Sequence, residues 1–569
     1  MANNLGIDFG STYTMLSYYD EVNQRVNAIQ TENGSCYIPS VACLDEFGET
    51  LLMGQEARQE MTANHSLHPF RAFKMLLSEQ DKGKLEAQGY ADPYSPARIT
   101  REFLEHFVSV ACNACDTQQF DSAVICIPEV WTRTPSYMSG RSILLDICKQ
   151  FGSKNQKLLK KIKVVTEPVA ASAYYAHHYR KLHKAPYRGK LIIIDYGGGT
   201  LDITLTDVSP SPDGKSMMID AFWRTGAGEH HPDRIGDAGL AYMEKVTALA
   251  LEQAGFPNAP IDGHFLRVKD RLENKLMNSV NEITAAVNKY RLQPEKFGKD
   301  QREFTFAPYK GKKVIITYAM LYQVFESVIK PVLNKNLAEL KQKLDKLHLD
   351  PRRDMEKIKI AVVGGFGQFP LVQKAVWDFF GYSGNDMDIA HGAEGGKQDA
   401  ISFGAALIAA GEVTVSTYSR YSIGLRVTIQ GKEYGQLAIK CRDHVDYDKM
   451  YPVGGAWQGV NYGGSTNPED DPWVFAINDS DENFSTAYKM IPRPEICYKL
   501  QSDITPGYRY AFGFSMDESE IYTLHIVPWD PNAKKPIFER GYPFRLGNFN
   551  DIFGMNAIFD EKKMLKILK

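Results

Sequence analysis

Several common signatures are missing from this chain of 569 residues. No apolar run approaches the ~20 residues that cross a bilayer. The opening MANNLGIDFG enters a strand-and-turn pattern directly, with no basic, apolar, cleavable leader. Charge of one sign is also lacking: 66 Lys and Arg face 69 Asp and Glu, for a formal net charge of -3. Nothing in that balance draws the chain to nucleic acid or into an anionic membrane. The eight cysteines, at 36, 43, 112, 115, 126, 148, 441 and 497, have no disulfide-framework spacing. The single CxxC pair, Cys112 and Cys115, sits in the helical-looking FLEHFVSVACNAC without a second pair or a histidine at zinc-site spacing. Reduced thiols and a cytoplasmic location are therefore expected. A GxxxxGK[ST] loop is absent, and no GxGxxG opens a first strand–helix unit, which excludes the two nucleotide folds those motifs mark.

What is present is a repeated plan. LGIDFGSTYTMLS (5–17) runs strand, aspartate, aromatic, glycine, small residues, strand, and IIDYGGGTLDITLT (193–206) repeats it, with Asp8 and Asp195 187 positions apart. Each reads as a hairpin with a glycine-bearing turn. Each is followed, after an insertion, by a strand-to-helix unit: KIKVVTEPVAASAYYAHHY (161–179) and KIAVVGGFGQFPLVQKAVWDFF (359–380). This pattern predicts a duplicated α/β lobe around a cleft. Lobe I spans 1–188 with an insertion at about 38–120, and lobe II spans 189–411 with a helical insertion at about 229–314. Apolar spacing predicts helices over Ile99–Cys115, Phe265–Tyr290 and Met320–Leu347. After a linker at 412–419, short alternating segments over 420–569 predict an all-β, sandwich-like domain whose core takes Trp457, Trp473, Tyr508, Tyr510, Phe512, Phe514 and Trp529. The closing EKKMLKILK suggests a short basic helix. The acidic stretches NPEDDPW (467–473) and NDSDENF (478–484) lack the glycine and distal glutamate of a calcium loop and read as turns, and His230 and His231 read as a solvated loop.

Three consecutive glycines between two strands need a physical reason, because glycine loses the most backbone entropy on ordering. A polyphosphate can be held by backbone N–H groups if the main chain approaches closely, which glycine permits. Gly197, Gly198 and Gly199, with the Thr200 hydroxyl, offer such a surface, and Gly10, Ser11, Thr12 and Tyr13 offer its counterpart. Asp8 and Asp195, at the strand ends beside these turns, are placed to hold the water shell of a Mg²⁺ ion.

GIDFGSTYT, VVTEP with the following AAS, IIDYGGGTLDITL, VVGGFGQFP and DAISFGAA together resemble, in order, the nucleotide-site motifs of the heat-shock 70 kDa (DnaK-type) chaperones. These belong to the wider actin-like (ribonuclease H-like) ATPase fold, and the likeness covers roughly residues 4 to 411. The resemblance implies ATP or ADP with Mg²⁺, slow ATP hydrolysis, and polypeptide clients bound by the β domain. It also implies a J-domain-type co-chaperone and an exchange factor. Carried over by position, Asp8 and Asp195 organise the metal, and Ser11, Thr12, Tyr13 and Gly197 to Thr200 contact phosphate. Glu167 stands near the attacking water and Asp202 completes the polar floor. Lys74, in PFRAFKMLL, takes the place of the catalytic lysine, with Phe73 as the competing register.

The departures are concentrated around the base. RLENKLMNS keeps Lys275 and Ser279 of the family's adenosine-binding face, but Leu272 and Leu276 replace its glutamate and arginine. In GGFGQFP, Phe366 and Gln368 replace a serine and a base-stacking arginine, while Gly364 and Gly365 keep the close backbone approach. The linker lacks the usual leucine run, and the chain reads as a member without the helical lid. Two other readings stand beside the chaperone: a nucleotide-gated scaffold with one dedicated protein partner and little turnover, and an actin-like filament former.

Overall fold

A computed structural model describes residues 4–381 and 399–461, apart from 32–33, 65–66, 133–137, 154–155, 212–213, 229–230, 232–233, 417–418, 420, 442 and 448. Beyond these it describes 474–478, 488–491, 509–516, 522–547 and 566–567. The acidic segments 467–473 and 479–484, with Trp473, Tyr508 and His230, lie outside the described residues. The chain divides into two compact units, Met1–Val415 and Ser416–Lys569.

The first unit is built on two large sheets, with a three-stranded and a two-stranded sheet beside them. In one, the strands run Arg25–Ala28, Tyr13–Asp20, Asn4–Phe9, Phe120–Ile127 and Leu159–Thr166. The Asn4–Phe9 and Tyr13–Asp20 strands form an antiparallel hairpin, and Phe120–Ile127 then runs parallel to Asn4–Phe9. The other sheet runs Ile358–Val363, Gly189–Tyr196, Leu201–Pro210, Met217–Ala227 and Val413–Val415. Here too an antiparallel hairpin, pairing Asp195 with Asp202, is flanked by a parallel strand. The Val413–Val415 strand falls inside the segment read as a linker and pairs in parallel with Met217, Met218 and Ile219.

Period-two side-chain placement explains why the central strands are apolar on both faces. Along Gly189–Tyr196, Leu191 and Ile193 join a core that also takes Val124, Cys126 and Val165 of the first sheet. Ile192, Ile194 and Tyr196 enter a second core, together with Tyr242, Leu272, Leu333 and Val372. Between the two sheets lie the helices Glu167–His183 and Ala400–Ala409, both represented in the shared core. The first starts with proline in its opening turn, where a missing N–H costs nothing. It then offers Ala170, Ala171, Ala173 and Ala176, all buried, so that another backbone can come close. A Cβ at Gly404 would sit 1.7 Å from the Ala170 carbonyl oxygen, and only glycine fits that crossing. Ser17 Oγ donates to the Ser402 carbonyl at 2.7 Å and accepts from Ser402 Oγ at 2.8 Å, fixing the last helix of the unit to its first hairpin.

The expected helix over Ile99–Cys115 is seen as Pro96–Ala114, capped by Ser95 Oγ on the Arg98 N–H. Met320–Leu347 is continuous apart from a π-turn at Phe325–Ile329. Phe265–Tyr290 is two helices, Gly263–Asn278 and Val280–Lys289, because Ser279 leaves helical geometry at φ -125 and ψ 24.

The second unit holds two sheets around one core. One runs Tyr488–Ile491, Val474–Asn478, Tyr421–Ile429, Lys432–Ile439 and Lys566–Ile567. The other contains Tyr451–Pro452, Arg509–Met516, Tyr522–Asp530 and Lys535–Pro536. Ile423, Leu425 and Val474 of the first meet Tyr510, Phe514, Leu524 and Ile526 of the second. Lys566–Ile567 does not form the expected helix; it pairs in parallel with Tyr434 and Gly435. The neighbouring strand supplies hydrogen bonds that so short a helix would not.

Candidate functional site

Both hairpin turns open on one cleft of about 210 Å³ in the first unit. They meet: a Cβ on Gly198 would lie 2.1 Å from Thr12 Oγ1, and one on Gly199 would lie 2.5 Å from Ser11 Oγ. The first turn is fixed by a side chain, with Ser40 Oγ donating to the Gly10 carbonyl at 2.6 Å and the Ser40 N–H to that of Thr12 at 2.8 Å. The second is fixed by a helix start. The N–H groups of Asp237, Gly239 and Leu240 donate to the carbonyls of Gly199, Gly197 and Gly198 at 3.3, 3.1 and 2.7 Å. The unsatisfied donors of a helix N-terminus thus hold the glycine carbonyls. Among the described backbone hydrogen bonds, the N–H groups of Gly198 and Gly199 donate to none. They remain available to an anion.

Carboxylates gather on the cleft floor. Asp8 and Asp195 line it, as do Glu167 and Lys74. Asp195 is 2% exposed, and neither of its carboxylate oxygens has a hydrogen-bond partner. Asp202 lies beneath, fully buried, accepting from the Glu129 N–H at 3.1 Å and from Thr200 Oγ1 at 2.9 Å. Among the described residues, Glu167, Asp195 and Asp202 form a group whose ligand atoms lie within 4.8 Å of one another. Asp8 lines the same cleft outside that group. Lys74, 3% exposed, pairs with Glu167 through an ammonium–carboxylate hydrogen bond. Phe73 instead points into the core against Phe9, with ring centroids 5.8 Å apart.

Burial, then the neighbouring Glu167 carboxylate, pushes Asp8 up to about 7. The same two causes drive Asp195 and Asp202 well above the usual carboxylate range. Burial works against the Lys74 ammonium, yet Glu167 and Asp8 outweigh it and hold the lysine above its ordinary value. Four carboxylates around one lysine leave the floor short of positive charge, a condition that favours a bound cation. The two unpartnered oxygens of Asp195 fit a Mg²⁺ ion or its waters. Asp202, with both oxygens already accepting, is suited to orienting its neighbours.

The remaining expected residues separate. Gly10, Ser11, Thr12, Tyr13, Gly197 to Thr200, Gly364, Gly365, Phe366 and Gln368 all line the cleft. The Tyr13 hydroxyl accepts from Arg58 at 2.9 Å, and the Thr200 hydroxyl is turned to Asp202. At Gly364, φ is +80, and a Cβ would lie 2.4 Å from Asp195 Oδ1. At Gly365 a Cβ would meet no protein atom within 4 Å, so protein packing does not itself demand glycine there.

Lys275 and Ser279 do not line the cleft. Lys275 pairs with Glu282 at 2.8 Å, and Ser279 is buried at the helix break. The face that does line it is one residue further on: Glu273, Leu276, Met277 and Val280. The i, i+3, i+4, i+7 spacing was the usable signal, but a single step rotates a helix by about 100° and selects a different face. The buried pair of Glu129 and Arg224, at 3.1 Å, also escaped the sequence reading. So did the contact of His231, about a third exposed in its loop, with Asp237 at 2.8 Å.

No protein-family model matches the chain. Among curated proteins, the chain is 21% identical over 410 residues to the chaperone protein DnaK of Thermotoga petrophila, covering 71% of this chain and 59% of that protein. It is 22% identical over 407 residues to DnaK of Thermotoga neapolitana, with the same coverage. It is 24% identical over 390 residues to DnaK of Elusimicrobium minutum, covering 67% and 54%. The match therefore spans under two thirds of the length of these relatives. This weak homology supports an affiliation with the heat-shock 70 type, and the mixed α/β unit followed by a β unit is consistent with it. Among the described residues, no helix is long and apolar enough to cross a membrane.

Proposed function

We propose that this chain binds and slowly hydrolyses ATP in a duplicated actin-like pair of lobes, 1–188 and 189–411, and is a chaperone-like protein whose β domain, 420–569, binds polypeptide segments. The observation that carries the reading is the convergence of an unpartnered Asp195, the Lys74–Glu167 pair and a glycine turn with free amides in one cleft. Asp8 and Asp195 hold the metal, and Mg²⁺ when bound neutralises phosphate charge and orders water. The N–H groups of Gly198 and Gly199 meet phosphate oxygens, with Ser11 and Thr12 opposite. Lys74 steadies the terminal phosphate, and Glu167, fixed by that lysine, orients the attacking water. Hydrolysis of this kind depends on positioning and charge neutralisation, which these residues supply. ADP remains in the same cleft until released. A J-domain-type co-chaperone and an exchange factor would act on these steps.

The decisive experiment follows labelled ATP in Mg²⁺ with the parent, Asp8→Asn and Asp195→Asn. Turnover that falls in both variants supports the site, and equal rates in all three overturn it.

A second reading, a nucleotide-gated scaffold with one dedicated partner, is favoured by the apolar wall where Lys275 and Ser279 were expected. Capture of a single stoichiometric partner supports it, whereas many unfolded clients support the chaperone.

A further inference from the structure

Beyond the turns, the cleft wall changes character. Leu276, Met277 and Val280 line it, as do Phe366 and Phe369. Met277 and Val280 are 48% and 40% exposed, whereas Phe265, Val268 and Leu272 of the same helical segment are buried. Apolar side chains left half open on a cleft wall await a flat apolar ligand surface. Phe366 is the rigid side. Its ring centroid lies 5.2 Å from Tyr196, 5.1 Å from Tyr242 and 5.5 Å from Phe369, so its orientation is set before anything binds. Met277 is unbranched and adapts its shape.

Among the described residues, the polar side chains next to these apolar groups, Glu273 and Gln368, are each engaged. Glu273 accepts from Lys269 at 3.1 Å, and Gln368 Nε2 donates to the Val362 carbonyl at 3.0 Å. The Gln368 carbonyl oxygen is left as an acceptor. Adenine, guanine and cytosine each carry an exocyclic amine, so one acceptor does not tell them apart.

Building on the nucleotide reading above, we infer that the cleft holds the base by stacking and dispersion between Phe366 and the Leu276, Met277 and Val280 face, and does not select its identity. The ligand class is then a nucleoside triphosphate in general, chosen through its polyphosphate. Every base has a π-face, so stacking tolerates base changes, and steep discrimination requires hydrogen-bonding groups that would be left unpaired by the wrong ligand.

The test is calorimetric titration of the whole chain in Mg²⁺ with inorganic tripolyphosphate, ATP, GTP and CTP. The three nucleotides are expected within about tenfold of one another and tighter than tripolyphosphate. Met277→Ser, at a half-exposed position where folding is safe, is expected to weaken all three by a similar factor of about threefold and to leave tripolyphosphate unchanged. Tripolyphosphate binding together with a preference beyond tenfold for one base overturns this inference alone. Met277→Ser acting equally on tripolyphosphate also overturns it. Failure of tripolyphosphate and every nucleotide to bind removes the nucleotide reading, and this inference with it.

Discussion

The floor of the cleft and its outer wall follow opposite plans. The floor is charged, buried and held by ion pairs and hydrogen bonds: Lys74 on Glu167, Thr200 and Glu129 on Asp202. The wall is apolar and partly open, with Phe366 packed on its aromatic neighbours and Met277 facing the opening. A buried charge is tolerable only beside its partner, so the floor can change little without collapse. An apolar wall loses contact area gradually as side chains shrink. Sensitivity to mutation should therefore fall from floor to wall.

The largest effect is expected from Lys74→Ala. It leaves Glu167 buried without its cation and should cost about 3–5 kcal/mol in denaturant unfolding of the first unit. The double variant Lys74→Met with Glu167→Gln should recover most of that. Next, Asp195→Asn should lower ATP turnover at least about a hundredfold in a labelled-ATP assay, the scale of losing one preorganised electrostatic contact. Gly198→Val follows, because its Cβ would fall 2.1 Å from Thr12 Oγ1 and its branches would occupy phosphate space. A loss of affinity of about tenfold or more in calorimetry is expected.

Titration of Asp8 comes after these. Its carboxyl is raised to about 7 in the fold against an ordinary 3.8. Between those values the folded protein holds a proton that the unfolded chain has released, so the Asp8 contribution is full below pH ~4 and is lost as pH rises through ~7. Without nucleotide, the melting temperature of the parent should fall relative to Asp8→Asn across that window, and parallel curves would refute this. The smallest effect belongs to Lys275→Ala. Its exposed pairing with Glu282 is worth less than about 1 kcal/mol, and nucleotide affinity should stay within about twofold.

The floor was largely legible because its groups lie on short contiguous motifs: an aspartate ending a strand, glycines at the turn, a glutamate opening a helix. Local sequence dictates local backbone there, and the hairpins return at Asp8 and Asp195 as read. The wall was legible in part. Phe366 and Gln368 follow directly on a strand, so their position was readable. The opposing helical face was not, because Lys275 and Met277 sit on the same helix and only tertiary packing decides which side turns inward. The break at Ser279 left no proline or glycine to mark it. The Glu129–Arg224 pair joins the short turn after Phe120–Ile127 to the interior of Met217–Ala227 in the other sheet, and no periodicity reports a contact of that kind.

The hydroxyl exchange between Ser17 and Ser402 spans 385 positions of sequence. During synthesis at about 5–20 residues per second, the nascent chain carries its first hairpin for roughly 20–80 seconds before the Ala400–Ala409 helix emerges to cover it. Gly6, whose added Cβ would fall 2.4 Å from the Ala406 amide nitrogen, lacks for all of that interval the helix that covers it in the fold. The first surface this fold must cover is therefore the one it makes earliest.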